Sequence, residues 1–400
     1  MGLDPPYLGD RQHQLHRFAR FLSGFPEFPR NVRVTGLRGV GKTVLLQRYG
    51  VIAEEAGWVV VRRELGQNLQ DESAFGLALV DDCRQALQRV SRRAAVGRKA
   101  SSAAHAAFDL LGGISVSLAS VGIGISLRTP PAAQTPGPIL DDQLFAAIKA
   151  TCRAATEAGR PGIVLCYDEA HVLRDSRFER RFPLSGLLSA VARAQLQRVP
   201  VMLVVCGLPP LTDNLALAKS YSERMFQAEV LDALTPPEDI NALIRPLVAS
   251  QRAFEPELGE LVRADTKGFP FHVQFFGALL WDSLPLSEPI TCAHFNALRP
   301  AILEALDHAF FDARLARSSR TERKLLCAIA AAGEETSVRG VLMKLSGDRN
   351  LVNRLVARLI SKGLVYRPER NRLAFSVPMF GEYLRRKGLV GSGESWGSSA

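Results

Sequence analysis

The sequence predicts a doubly wound α/β domain, followed by an all-helical segment and a small basic module. Three observations carry that prediction. The runs IVLCY at 163–167 and VMLVVC at 201–206 are apolar throughout, as strands of a parallel sheet covered on both faces must be. Segments of helical periodicity alternate with such strands. Between 236 and 312 the pattern is helical, with no strand-like run. Composition agrees: of 400 residues, 47% are hydrophobic and 22% charged, which excludes wholesale disorder, collagen and coiled coil. The length predicts two or three domains, divided as 1–235, 236–312 and 313–388, with a flexible Gly/Ser-rich tail at 389–400.

The elements follow in order. The segment 9–23 sets Leu15, Phe18, Phe21 and Leu22 at helical spacing. An extended run at 31–35 ends in a glycine-rich turn, and a helix starts at Lys42. WVVVR at 58–62 is a second strand, and Ser73 is positioned to cap a helix reaching Arg93. The stretch 101–138 is rich in Ser, Ala, Gly and Pro. Within it Ile114, Val116 and Leu118 alternate with serines, and Ile123, Ile125 and Leu127 alternate after Gly122. That pattern predicts an inserted β-hairpin followed by a proline-rich linker. Helices are expected at 238–249, 257–266, 271–283 and 292–306.

The six cysteines include no CxxC pair, and several sit in apolar runs. They read as buried free thiols of a reducing compartment rather than a disulfide framework or zinc site. Residues 1–10 carry no apolar core after a basic stretch, so no secretory signal is expected. The most lipid-like run, 110–127, is too polar and glycine-rich to span a bilayer. A cytoplasmic protein without a membrane partner is the expectation.

The segment 36–43 reads GLRGVGKT and fits G-x-x-x-x-G-K-[ST], with a strand before it and a helix after it. Gly36, Gly39 and Gly41 let the backbone wrap without Cβ clashes. The amides of Leu37, Arg38, Val40, Lys42, Thr43 and Val44 can then aim at phosphate oxygens. The helix start adds its positive dipole end. Lys42 brings a point charge to the β/γ-phosphates, and the Thr43 hydroxyl completes a Mg²⁺ shell. Hydrolysis needs a second part, an acid at the tip of another buried strand. IVLCYDEAH at 163–171 supplies it. Asp168 is suited to hold Mg²⁺ through water, and Glu169 to act as general base on the attacking water. A solvated strand-to-helix turn rich in acids is the bland alternative. His171 reads either as a polar contact at a helix start or as part of the chemistry.

The order GLRGVGKT, IVLCYDEAH, VMLVVCGLPPL, SYSERMF and TKGFPFHVQFFG resembles the AAA+ class of P-loop ATPases. Within that class it is similar to the bacterial and archaeal group related to origin-recognition proteins, over about 9–306. The resemblance implies a five-stranded parallel sheet, a helical lid and ATP held between them, with GDRQHQLHRF closing over the adenine. It further implies a polar sensor at the tip of strand 201–206, where this chain has Cys206 and Gly207. It places Arg224 where the family puts an arginine finger reaching a neighbouring subunit, which implies a homo-oligomer; an ordinary surface arginine is the alternative. After Gly268-Phe269-Pro270 many relatives carry a second sensor arginine, and here the residue is Phe271. Two sensor departures beside an intact loop and acid pair imply slow or partner-gated hydrolysis.

The net charge of +10 is uneven: 313–388 holds 17 Lys/Arg against 6 Asp/Glu, and the rest of the chain is close to neutral. Such asymmetry points to a polyanion partner. The segment 321–386 resembles the winged helix that closes the same ATPase family. A helix opens at Thr321 and ends at Gly333, Ser337 caps a second, and 351–362 forms a third. Two short strands bracket the basic turn 367–372. Arg354, Arg358 and Lys362 on the third helix, with Arg367, Arg370 and Arg372 on the wing, are the candidate contacts to double-stranded DNA. Three readings follow. The first is an ATP-dependent, DNA-binding ATPase. The second is a nucleotide-switched scaffold whose winged helix binds a protein partner. The third is a transcription regulator with a structural ATPase half, which the intact Lys42, Thr43, Asp168 and Glu169 oppose. Lys42→Ala should abolish or cripple ATP binding; isothermal titration with ATP–Mg²⁺ should then show no heat above dilution.

Overall fold

The computed structural model describes residues 7–93, 98–123, 138–333, 335–345, 349–369 and 371–390. The chain divides into two compact units, one formed by 11–35 and 42–230, the other by 7–10, 36–41 and 231–390.

The first unit is built on a five-stranded sheet. In chain order it holds α1 (Gln12–Ser23), β1 (Asn31–Gly36), α2 (Lys42–Glu55), β2 (Val59–Glu64), α3 (Glu72–Arg93), α4 (Arg98–Ile123), α5 (Pro138–Glu157) and β3 (Ile163–Asp168). Then follow α6 (Pro183–Leu196), β4 (Val201–Gly207), α7 (Leu211–Ala218), the single turn α8 (Ser222–Met225) and β5 (Phe226–Leu231). The strand order is β2-β3-β4-β1-β5. The pairs β1–β4, β3–β4 and β2–β3 are parallel, with Val34 beside Cys206 and Glu64 beside Asp168. The carboxyl ends of β1, β3 and β4 therefore lie along one edge of the sheet, where open α/β sheets bind ligands.

Every residue of β3 and β4 is buried, which is why the sequence shows continuous apolar runs there. On one face Ile163, Leu165, Tyr167, Leu203 and Val205 share a core with α3 to α6. On the other, α2 covers the sheet, and Phe18 of α1 stacks on Tyr49 of α2 with ring centroids 4.2 Å apart. A buried polar knot ties α3 to the sheet: Arg63 Nε donates to Asp82 at 2.8 Å and the Tyr167 hydroxyl donates to the same carboxylate at 2.9 Å. Cys83, Cys152, Cys166 and Cys206 are buried, and all six cysteines are free. Among the described residues no helix is long and apolar enough to cross a membrane.

Two expectations are corrected and one strand is added. The inserted hairpin is instead α4, a 26-residue helix. Ala104, Ala107, Leu111, Ile114 and Leu118 are buried at alternating steps of three and four, a helical stripe packed against α3 and α5. Two members of the expected strand alternation belong to that stripe, whereas Val116 is 72% exposed. Ser115, one of the serines read as strand-like, donates its hydroxyl back to the Leu111 carbonyl at 2.9 Å, as serines within helices do. The second alternation and most of the proline-rich linker fall on 124–137, outside the described residues. Next, α3 is capped by Asp71 rather than Ser73: the Ala74 N–H donates to Asp71 Oδ1 at 2.9 Å. Lastly, β5 escaped the sequence reading because it is an edge strand of mixed polarity, burying Phe226, Glu229 and Leu231 while Ala228 and Val230 face water.

The second unit contains α9 (Glu238–Ala249), α10 (Leu258–Thr266), α11 (Pro270–Asp282) and α12 (Cys292–Leu306), close to the expected bounds. A π-helical turn at Asp307–Asp312 leads into α13 (Ala313–Ala316). Beyond it come α14 (Arg320–Ala332), β6 (Glu335–Ser337), α15 (Val338–Leu345), α16 (Arg349–Ser361), β7 (Val365–Tyr366), β8 (Arg372–Phe375) and α17 (Phe380–Arg386). The three short strands form an antiparallel sheet in the order β6-β8-β7. Ser319 and Glu322 make a capping box that starts α14 one residue before the expected Thr321. Ser337 caps α15 as expected, accepting the Gly340 N–H at 2.9 Å. The turn at 346–348 and Arg370 lie outside the described residues. Val352, Leu355, Val356 and Leu359 bury one side of α16 against a core that also holds Leu325, Ile329 and Phe380.

Leu111→Ala should destabilise the protein by about 2–5 kcal/mol, the cost of an emptied core position. Urea unfolding checks this; a residue on a surface hairpin would leave the midpoint unmoved.

Candidate functional site

The turn between β1 and α2 carries the GLRGVGKT residues. Gly39 and Gly41 adopt φ of +80° and +90°, a backbone closed to most side chains. Gly36 is needed for a different reason: a Cβ there would meet the Leu231 carbonyl oxygen at 2.3 Å. Within the second unit the turn is also held by its neighbours. The Arg38 N–H donates to the Ser376 carbonyl at 3.1 Å, and the Phe271 N–H donates to the Gly39 carbonyl at 3.1 Å. Phe271, standing where a sensor arginine was sought, thus braces the turn through its main chain and stacks its ring on Phe310, with centroids 4.6 Å apart. Val40 is buried, while Leu37 and Arg38 are half-buried.

In the first unit α2 opens on Lys42 and Thr43, and Val44 follows. Lys42 is buried, and Thr43 Oγ1 donates to Asp168 Oδ2 at 2.7 Å. Asp168 ends β3, buried, and its other oxygen accepts the Glu169 N–H at 2.7 Å. Cys206, at the tip of β4, is buried beside Asp168. Its thiol is pushed well above its usual pKa, first by burial and then by the Asp168 charge, to which it also hydrogen-bonds; the Lys42 ammonium offsets part of that push. The expected sensor position therefore holds a neutral thiol that supports the carboxylate.

Glu169 has a left-handed backbone, φ +53°, and starts the 3-10 turn Ala170–Val172. Its Oε2 lies 3.4 Å from His171 Nε2. The Leu208 N–H donates to His171 Nδ1 at 3.3 Å, so in the neutral ring the proton sits on Nε2, facing Glu169. Gly207 makes room for this ring: a Cβ there would come within 3.1 Å of Nδ1. Asn214 Nδ2 donates to the carbonyls of His171 at 3.0 Å and of Leu173 at 3.1 Å, which fixes the turn from α7. The His171–Gly207–Leu208 link went unread in the sequence. Its signal was present, a His three residues after the acid with a Gly in place of a polar sensor, but it appears only when β3 and β4 are adjacent.

The structure thus brings Lys42 and Thr43 at the start of α2 together with Asp168, Glu169 and His171 at the end of β3. It does not bring Arg224 to them. That side chain is exposed on α8, and among the described residues no hydrogen bond or ion pair joins it to the group. A hydroxyl and a carboxylate in contact form a hard oxygen pair of the kind Mg²⁺ uses together with substrate phosphates. Among the described residues no three His, Cys, Asp or Glu side chains cluster to hold a metal by themselves.

In the C-terminal module Arg354, Arg358, Arg367 and Arg372 are exposed. Arg372 pairs with Glu335 at 3.1 Å across β6 and β8. Lys362 departs from its expected role. Its ammonium is 2.6 Å from the buried Glu322 carboxylate and donates to the Arg317 carbonyl at 2.9 Å, so it ties α16 to the start of α14.

Comparison with known proteins places these observations. Residues 10–205 match the family described as AAA ATPase domain, and residues 308–384 match a domain of unknown function, DUF8462. No curated protein matches the chain. Among solved structures, the Walker-type ATPase PABY2304 of Pyrococcus abyssi is similar over 96% of this chain and 99% of its own, at 15% identity and a TM-score of 0.58. Orc1 of Aeropyrum pernix, solved in complex with DNA, is similar over 96% and 94% at 15% identity and a TM-score of 0.46. RuvB of Thermotoga maritima, a Holliday junction branch migration motor, is similar over 94% of both chains at 15% identity and a TM-score of 0.40. The sheet order, the glycine turn and the acid at the end of β3 are those of a P-loop fold.

Proposed function

We propose that this chain, whose residues 10–205 match the AAA ATPase domain family, binds ATP with Mg²⁺ and hydrolyses it slowly or under the control of a partner. The observation that carries the reading is the hydrogen bond from Thr43 to Asp168 at 2.7 Å, which joins the two halves of an NTP-hydrolysing site. Main-chain amides of the 36–44 turn and helix start cradle the phosphates, and Lys42 neutralises the β/γ charge. Thr43 and Asp168 would hold the metal, which would supply Lewis-acid stabilisation of phosphate charge. Glu169 takes a proton from the attacking water onto its carboxylate, and His171 keeps that carboxylate aimed by donating from Nε2. Neither sensor position supplies a charged or amide side chain, in keeping with a low basal rate. Arg224 stays an arginine finger only for an assembly in which its exposed guanidinium reaches a second copy.

The C-terminal module is proposed to act as a winged helix on duplex DNA through Arg354, Arg358 and Arg367. The pairing of Lys362 with Glu322 favours a smaller set of phosphate contacts than the charge count implies. A nucleotide-switched scaffold that uses the same face for a protein partner is the competing reading.

Three experiments test this. Glu169→Gln should retain ATP in titration calorimetry while phosphate release falls by about 10²-fold or more. His171→Ala should lower kcat several-fold with KM little changed; a rise in KM alone would assign His171 to binding instead. For the C-terminal module, three phosphate contacts predict that log K for duplex falls against log salt with a slope of about −3. A flat slope, or no duplex binding at low salt, would favour the scaffold.

A further inference from the structure

The connection between β3 and α6 contains a feature the nucleotide site does not use. Ser176 and Arg181 exchange both backbone hydrogen bonds, at 2.7 and 3.0 Å, closing a tight hairpin. The Glu179 N–H donates to Ser176 Oγ at 3.1 Å across its neck. Below the neck, Asp175 accepts the Leu184 N–H at 3.1 Å and the Ser185 N–H at 3.3 Å, so its charge is spent on the start of α6. Glu179 is likewise spent, on Arg181. Asp175 is thus occupied by main-chain donors and Glu179 by Arg181, with Arg174 close enough to hold the Glu179 pKa down, while Arg177 and Arg180 are exposed and, among the described residues, join no ion pair.

At the tip, Phe178 is 98% exposed, and Phe182 at the base is exposed as well. Single apolar residues on a surface are ordinary. A nearly fully exposed ring at the end of a closed hairpin, flanked by the Arg177 and Arg180 guanidinium groups and with Arg174 nearby, is a narrower combination. Flat rings stack on nucleobases and guanidinium groups meet phosphates, and single-stranded nucleic acid offers both. A duplex offers the phosphates but keeps its base faces covered. An acidic peptide offers the charge but no flat partner for the ring.

We propose that the hairpin 176–181 is a docking site for single-stranded nucleic acid, with Phe178 stacking on a base and Arg174, Arg177 and Arg180 tracking the backbone. This site uses none of the residues assigned to the nucleotide site or to the C-terminal basic face, and its test needs no hydrolysis. Phe178 packs against almost nothing, so Phe178→Ala leaves the fold intact, which a thermal melt verifies. Fluorescence anisotropy of the full chain with a labelled 20-nucleotide oligo-dT, and with a 20-base-pair duplex, reads the effect. Phe178→Ala should weaken the single strand by about 5- to 150-fold, as loss of one stacking platform does, and leave the duplex within about twofold. Arg177→Gln with Arg180→Gln should lower the salt slope for the single strand by about 1.4. The proposal is overturned if the wild-type chain does not bind oligo-dT at low salt. It is equally overturned if Phe178→Ala changes single strand and duplex alike, or if poly-glutamate of equal length competes as well as the oligonucleotide.

Discussion

Much of the candidate site depends on how one carboxylate is satisfied. Asp168 ends a strand whose every residue is buried, where an unpaired charge would carry the full cost of leaving water. It is kept in place by the Thr43 hydroxyl, the Glu169 amide and the Cys206 thiol, which come from α2, from its own chain and from β4. Each partner fixes one part of the machinery. Thr43 sets the start of α2 and with it the end of the glycine turn. The Glu169 amide sets the left-handed step that turns the neighbouring carboxylate toward His171. Cys206 sets the tip of β4, from which Leu208 reaches the imidazole.

The core of this arrangement was legible because burial on both faces leaves a strong mark. IVLCY and VMLVVC could only be central strands, and the glycine turn could only follow β1. Less was legible wherever two periodicities overlap or a strand has a wet side. Ile114 and Leu118 fit a strand and a helix equally well, and Val116 alone could not decide; the stripe back through Leu111, Ala107 and Ala104 did. β5 mixes buried and exposed positions, so its apolar content was diluted. The imidazole bridge was hidden because it joins residues 171 and 208, brought together only by sheet order.

The basic module shows how far a charge count overstates what is available to a partner. Its excess over acids is large, yet some of it serves the fold: Lys362 on Glu322, Arg372 on Glu335, and Arg386 on the buried Asp307. Removing one member of a buried pair costs more than the pair contributes, because the survivor is left uncompensated. Charge reversal at Lys362 would therefore loosen α16 before it altered any surface.

Glu169 carries a further consequence. Its left-handed backbone suits glycine or asparagine and costs a glutamate on the order of 1 kcal/mol. A chain shaped by rigidity alone would place Gly there and gain from it, while losing the carboxylate that faces His171. The strained residue thus marks where thermostability and the proposed role of this carboxylate pull apart, and variants picked from a library for heat resistance should drift at 169 unless activity is demanded with it.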